Sequence, residues 1–481
     1  MLSRALTGHC RLNRHLKVMG LTSTGECRFC HEAEETPMHI LCECGPLMHK
    51  RSHILESHTM ACEDVKNASI KKVLQFLNQT ALLIAGAMAG SAVLSLPRAL
   101  TKTGWIGVPI IIGFCAVAAI SAKRLVQCRS IIEEIQPELR GSSSTYATIA
   151  EKAIGTTWSK VVSVCTIVTL MGTTVVYLLM AAEIVEEAFL YLVPTFGYCV
   201  WYLVLVALLT PLTLFDKAKD LPLTGVVVFG AAVAACVLYF VQIILDTRRP
   251  PYRYGLKGFQ PFFFAFGTIM FSFGGISAIP IIQNEVNSRS KFNRSLRYSF
   301  LAILALYLPM AISGYAVYGE SVAPNIATRL STTPISVVGN VLMAVHLVCV
   351  SIILINPVFK EAEALYVLYN ISESIGRKTI LRVAIMLILL FIGETIPRFH
   401  TIQSLIGAST VALLSFILPS YCYIKLVKQL PRQADGPLDG RWLPSPITQL
   451  IIFGVVCGTA ATLSAVGAVM NTSRALPCYM S

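Results

Sequence analysis

Two stretches of small residues interrupt otherwise apolar runs, and the chemistry they offer is that of exposed backbone. The first is Gly86-Ala87-Met88-Ala89-Gly90-Ser91, followed by Leu94-Ser95-Leu96-Pro97. The second is Phe271-Ser272-Phe273-Gly274-Gly275-Ile276-Ser277, followed by Pro280. A continuous helix in lipid pairs its backbone groups internally and offers a polar solute nothing. Where two helices unwind at matched positions, amides at a half-helix N-terminus receive a carboxylate, and carbonyls at an opposed C-terminus hold an ammonium or a cation. The expected site is therefore built by Ala87, Met88, Ala89, Gly90 and Ser91 against Phe271, Phe273, Gly274, Gly275 and Ser277. Its expected ligand is a zwitterion such as an amino acid. Each glycine alone is as well explained by close helix packing; the matched pair is what points to a site.

Ionisable groups inside apolar runs are costly and default to functional candidates. Glu183, Glu285, His346 and Glu394 qualify. Imidazole titrates near neutral pH, which makes His346 a candidate for proton coupling, against the plainer reading of a histidine bonded to a carbonyl. Glu183 is a second coupling candidate, against the reading of a carboxylate facing water at the boundary. Nearer the N-terminus, Cys27, Cys30, His39 and Cys44 follow a C-x2-C-x8-H-x4-C spacing that closes a tetrahedral zinc site from thiolates and imidazole.

The elements that must position these residues follow from composition. With 55% hydrophobic and 14% charged residues, and mean hydropathy of +0.66, the chain is not a soluble protein of its 481 residues. Residues 1–76 hold seven of the nine His and six of the fifteen Cys, with no apolar run of spanning length. They read as a separate cytosolic tail, either metal-binding or without a fixed fold, while 77–470 read as the membrane domain and 471–481 as a short extracytosolic tail. Runs of roughly 20 apolar residues, split at Gly, Pro and charge clusters, number eleven. They are Leu77–Leu96, Trp105–Ala122, Lys160–Leu190, Tyr198–Phe215, Pro222–Leu245, Pro261–Ile282, Tyr298–Tyr318, Ile335–Val358, Thr379–Ile396, Ile402–Val427 and Ile447–Met470. The first and sixth, heading two groups of five, carry the interruptions, which is where an inverted repeat places its broken helices. Counted by alternate loops, Lys and Arg split 20 to 9 in favour of a cytosolic N-terminus. The membrane part thus carries most of the net charge of +13 as a topology signal rather than as a nucleic-acid footprint. Seven Cys fall within the apolar runs and the outer loops show no obvious pair, so no structural disulfide is expected.

The motifs around the two interruptions resemble those of the amino acid/auxin permease family over about Ala68 to Met470. Gly90-Ser91-Ala92-Val93-Leu94-Ser95-Leu96-Pro97-Arg98-Ala99 is similar to the family's G-x-G-[IL]-L-x-L-P-x-A, and Phe271 to Pro280, Gly314-Tyr315-Ala316-Val317-Tyr318-Gly319, Asn356-Pro357, Ile396-Pro397-Arg398-Phe399 and Leu405-Ile406-Gly407-Ala408 add to it. The resemblance implies an all-α membrane protein with eleven spans, a 5+5 inverted repeat like that of the bacterial leucine transporter, and secondary active transport by alternating access. It also implies a span-three tyrosine, Tyr177, beside the substrate, and a span-eight hydroxyl, Ser351, as a counterpart of a sodium ligand. Sodium-coupled members carry an Asn where this chain has Gly86 or Ala87, so protons are favoured over sodium. The expected substrate is a small neutral amino acid, and the expected chain a monomer in the plasma membrane or a lysosomal or vacuolar one. The alternative within this fold is a sensor that binds without cycling. The segments 6–13 and 35–44 resemble the C-terminal end of non-LTR retrotransposon polyproteins, which makes a nucleic-acid module of the tail a third reading; no nucleic acid is expected at the membrane domain. With no phosphate loop, no Ser/His/Asp set and no carboxylate cluster at a plausible cleft, the chain is read as a non-enzyme.

Overall fold

The computed structural model describes residues 90–136, 145–189, 195–214, 221–246, 258–280, 289–368, 375–396, 398–429 and 444–471, together with Glu34 and Cys478. The proposed zinc ligands Cys27, Cys30, His39 and Cys44, the span-one residues Ala87, Met88 and Ala89, and Glu285 lie outside the described residues.

The architecture is all-helical. α1 (Ser91–Thr103) is joined through a tight turn at Gly104–Ile106 to α2 (Gly107–Ile135), and a short α3 (Tyr146–Ile154) precedes α4 (Thr156–Phe189). α5 (Tyr198–Leu214), α6 (Leu221–Leu245), α7 (Phe259–Phe271), α8 (Arg289–Tyr318), α9 (Pro334–Leu368) and α10 (Ile375–Thr395) follow. α11 (Phe399–Ile406) passes through a π-helical segment (Gly407–Ile417) into α12 (Leu418–Val427), and α13 is Pro444–Asn471. Among the described residues, seven helical stretches are long and apolar enough to cross a bilayer, with Tyr198–Leu214 and Phe229–Leu245 as shorter apolar helices. Side chains such as Leu463, Ile380 and Leu208 stand outward on these helices, as expected where lipid replaces water.

The centre of the bundle is α4 lying along α9, with α6 on the far side of α9, and α1 wedged between α7 and α8. Tyrosine hydroxyls staple helices to each other: Tyr202 Oη donates to the Leu389 carbonyl (2.7 Å), Tyr239 Oη to Asn340 Oδ1 (2.9 Å) and Tyr146 Oη to the Leu414 carbonyl (2.7 Å). Such bonds between membrane helices contribute about 0.6 kcal/mol on average; each also satisfies a hydroxyl that would otherwise be buried alone. Where α7 crosses α11 and the π segment, Gly267 and Gly407 bring the backbones so close that a Cβ on either overlaps the other helix. Small residues at this crossing are therefore a steric requirement.

Three sequence expectations need correction. α1 does not stop at Leu96 but continues through Pro97 to Thr103. The proline removes one ladder bond, the described helix starts directly after its N-cap Gly90, and Arg98 and Lys102 find partners described below. Several helices also overrun their apolar stretches at the end of the bundle opposite Thr103: α2 reaches Ile135 rather than Ala122, and α8 starts at Arg289 rather than Tyr298. Lys, Arg and Glu are good helix formers, and pairs such as Arg129 Nε to Glu133 Oε1 (3.0 Å) carry the α2 helix beyond the hydrocarbon. The third correction is Cys199–Cys478, which forms a disulfide with Cα atoms 5.7 Å apart. It was hidden because Cys199 sits inside an apolar run and its partner is 279 residues away.

Candidate functional site

α1 begins and α7 ends at one cavity. The N-terminus of α1 is capped by Gly90, which has no side chain to offer its first-turn amides, and the Tyr177 phenol is hydrogen-bonded to the backbone of Ser91. The α-helical ladder of α7 ends at Phe271, and after a two-residue turn the chain continues as a single 3-10 turn, Gly274–Ala278. Two carbonyls freed by this break are held by side chains: Ser272 O accepts from Tyr307 Oη (2.9 Å) and Gly274 O from Ser277 Oγ (3.4 Å). The positive end of one helix dipole and the negative end of another thus meet at this cavity.

The cavity gathers many of the sequence candidates. Ser91, Tyr177, Phe271, Gly274, Gly275 and Ser277 all line it. Gly90 forms its edge beneath Tyr177: a Cβ at Gly90 would lie 2.5 Å from the phenol ring, so only glycine lets the ring rest on the start of α1. The Tyr177 hydroxyl lies against Ser91. Phe273 is fully buried with its ring 5.8 Å from that of Tyr307, and it supports the break from behind rather than lining the cavity.

Two residues on one wall, Thr169 and Thr173, escaped the sequence reading although a signal was present. Thr169, Thr173 and Tyr177 recur every four residues on one face of α4, and all line the cavity. Thr169 Oγ1 also donates to Thr410 Oγ1 in the π segment (2.6 Å), tying the α4 wall to α11–α12. Among the described residues, Ala92, Leu170, Ser272 and Leu354 complete the lining, and no ionisable side chain other than the Tyr177 phenol is part of it. Of the coupling candidates, His346 is fully buried in α9, and Ser351 Oγ donates to the Leu347 carbonyl of its own helix (2.8 Å). Neither lines the cavity. Glu183, two turns past Tyr177 on α4, accepts from Asn325 Nδ2 (3.2 Å).

That last bond belongs to a larger clasp. The loop 319–333 between α8 and α9 crosses the Thr103 end of the bundle and is held by three helices. Arg98 Nη1 on α1 donates to the carbonyls of Glu320 (3.2 Å) and Val322 (2.8 Å), and Glu183 on α4 holds Asn325. Asp246, at the end of α6, accepts from the Ser331 amide (2.9 Å), Tyr318 Oη (2.6 Å) and Gln242 Nε2 (2.8 Å). Partial burial alone would raise the Asp246 carboxyl, but these hydrogen bonds outweigh it and hold the group below its usual range.

The family profile described as transmembrane amino acid transporter protein matches residues 77–467. The chain belongs to this family. It is 26% identical over 361 residues to amino acid transporter AVT3A of Arabidopsis thaliana, covering 71% of this chain and 80% of the relative. It is 25% identical to vacuolar amino acid transporter 5 of Schizosaccharomyces pombe, covering 78% of this chain and 90% of that one. Among solved structures, Mhp1, a nucleobase-cation-symport-1 family transporter, has the same fold with a TM-score of 0.52 at 15% identity, over 84% of this chain and 93% of that one. The chain is a multi-pass membrane protein of a transporter family, and not an enzyme.

Proposed function

We propose that the chain moves small neutral amino acids across its membrane by alternating access, holding the zwitterion in the cavity between α1 and α7. The observation that carries this reading is the opposition of the two helix ends: the first-turn amides of α1 receive the carboxylate and the carbonyls at the end of α7 receive the ammonium. By their place in the sequence immediately before α1, Ala87, Met88, Ala89 and Gly90 are the further residues proposed to bind it. In this reading the fold is eleven spans in a five-plus-five inverted repeat, with α1 and α7 belonging to the first helix of each five, and the chain acts as a monomer. Protons rather than sodium drive the cycle, because the place of the sodium-coupled members' Asn is Gly86 or Ala87; Glu183 and His346 are the proposed proton carriers.

Disulfides persist in oxidising compartments, so the Cys199–Cys478 pair supports turning the Thr103 end of the bundle away from the cytosol. The loop charges favour that orientation on independent grounds. The membrane is the plasma membrane or that of a vacuole or lysosome, and the name of the Schizosaccharomyces pombe relative supports the latter. Radiolabelled uptake into vesicles reconstituted with the full chain, across a panel of amino acids with pH and sodium varied separately, tests the reading. Accumulation of small neutral amino acids that follows the pH gradient is expected. Binding without uptake for every amino acid would replace it with the sensor.

A further inference from the structure

A second cavity lies along the same two helices, nearer the Thr103 end of α1 and the Phe259 end of α7. Among the described residues its polar lining is Ser95, Arg98, Lys102, Thr268, His400 and Gln403, with no carboxylate among them. Arg98 reaches it with the guanidinium that also holds the loop carbonyls of Glu320 and Val322. The Lys102 ammonium stands 3.8 Å from the centroid of the Phe264 ring, on the cavity wall.

Gln403 supplies the observation that separates this cavity from a merely basic patch. The side chain is fully buried, and its Nε2 donates to Ser95 Oγ (2.8 Å). Ser95 Oγ in turn donates to the Ala92 carbonyl (3.4 Å). Because the serine hydrogen is committed there, the amide is fixed with its nitrogen toward Ser95. Its Oε1 is left over, buried and accepting no hydrogen bond. A buried acceptor of this kind calls for a donor from a ligand.

We infer that this cavity is a second amino acid subsite, on the route between solvent and the central cavity. The carboxylate rests against Arg98 and Lys102, and the ammonium donates to Gln403 Oε1. The cationic side chains lie one to two helical turns further along α1 than Ser95, the partner of Gln403, so the two charges of a zwitterion meet complementary groups at opposite ends of the cavity. A simple anion would satisfy the arginine and lysine and leave the amide oxygen unmatched; a bare amine would meet two positive charges. The assignment of an amino acid as the ligand rests on the transporter reading above.

The test uses the full-length protein in lipid nanodiscs, with trifluoroacetate as the carboxylate probe followed by its fluorine NMR line width, and glycine and glycine betaine as competitors. Wild-type protein broadens the line, and glycine displaces the probe at a concentration about tenfold lower than betaine, which has the carboxylate but no N–H. Lys102→Met removes most of the broadening. Gln403→Leu keeps the broadening and erases the preference for glycine. Gln403→Glu, which preserves side-chain size and adds charge, weakens the probe and retains glycine. Gly90→Leu, which fills the central cavity, leaves all of these effects in place. Broadening unchanged by Lys102→Met, or displacement by chloride as effective as by glycine, overturns the subsite. If these results hold while no amino acid is taken up, the site stands and the transporter reading falls; if uptake proceeds and Lys102→Met changes nothing, the subsite alone is lost.

Discussion

Between the two helix breaks the lining is glycine, hydroxyl and aromatic ring, whereas one to two turns further along α1 it becomes Arg98 and Lys102, joined by His400 and Gln403 from α11. The same two helices form a wall of both cavities, so the difference is one of depth. A charged side chain near the bilayer centre costs about 2.5–3.5 kcal/mol on insertion scales. The ends of broken helices carry partial charge without that cost, since their dipoles arise from a backbone that must be buried anyway. Nearer the Thr103 end, a lysine sets its ammonium over the face of the Phe264 ring at the cavity wall, and side-chain charge becomes usable. On the proposed reading, recognition by backbone in the middle and by side chains nearer the Thr103 end follows from the solvent, independently of the particular ligand.

The sharpest way to break this contrast is Gly90→Leu. A side chain there meets the Tyr177 ring at once, so uptake into vesicles falls by about a hundredfold while membrane insertion is retained; normal transport would remove the central site. Next is Tyr177→Phe, which deletes the hydroxyl lying against Ser91 and raises the KM for uptake by about tenfold, with a smaller effect on kcat. Uptake kinetics in which KM does not move would demote Tyr177 to packing.

A third prediction concerns the clasp rather than either cavity. Asp246→Asn weakens bonds to a charged acceptor and lowers the Tm of the detergent-solubilised protein by about 2–4 °C at neutral pH. The native carboxyl titrates below its usual value, so the stability it lends is complete above the unfolded value of about 3.9 and disappears only as pH falls through the lowered native one. The Tm gap between wild type and variant therefore stays constant from about pH 7 to pH 5 and closes only in stronger acid; a gap that closes by pH 5 contradicts the hydrogen-bonded carboxylate. The smallest effect is assigned to Ser351→Ala. Its hydroxyl serves its own helix, so uptake with and without sodium stays within about twofold of wild type. Loss of a sodium response in this variant would instead make Ser351 an ion ligand.

Much of the site was legible because its signal is local. Gly90-Ser91 and Gly274-Gly275 mark breaks by composition alone, and the structure places Ser91, Gly274, Gly275 and Ser277 around one cavity with Tyr177. Thr169 and Thr173 were also legible, being on the face of α4 that carries Tyr177, but hydroxyls bonded to their own helix are so common in membrane spans that spacing alone did not raise them above that background. Other features depend on partners distant in sequence. Nothing near Pro97 announces that α1 continues, since the arginine beyond it is satisfied by carbonyls at Glu320 and Val322, more than two hundred residues away. Gln403 reads as an ordinary polar residue until Ser95 fixes its amide. The Cys199–Cys478 disulfide could not be inferred from spacing at all.

The segment 319–333 has a mechanical consequence. It is anchored by Arg98, Glu183 and Asp246 from α1, α4 and α6, much as a tarpaulin is pegged at three corners. Lifting any one corner loads the other two, so access from that side is gained only when several helices tilt together. A rearrangement confined to α1 would leave the cover down.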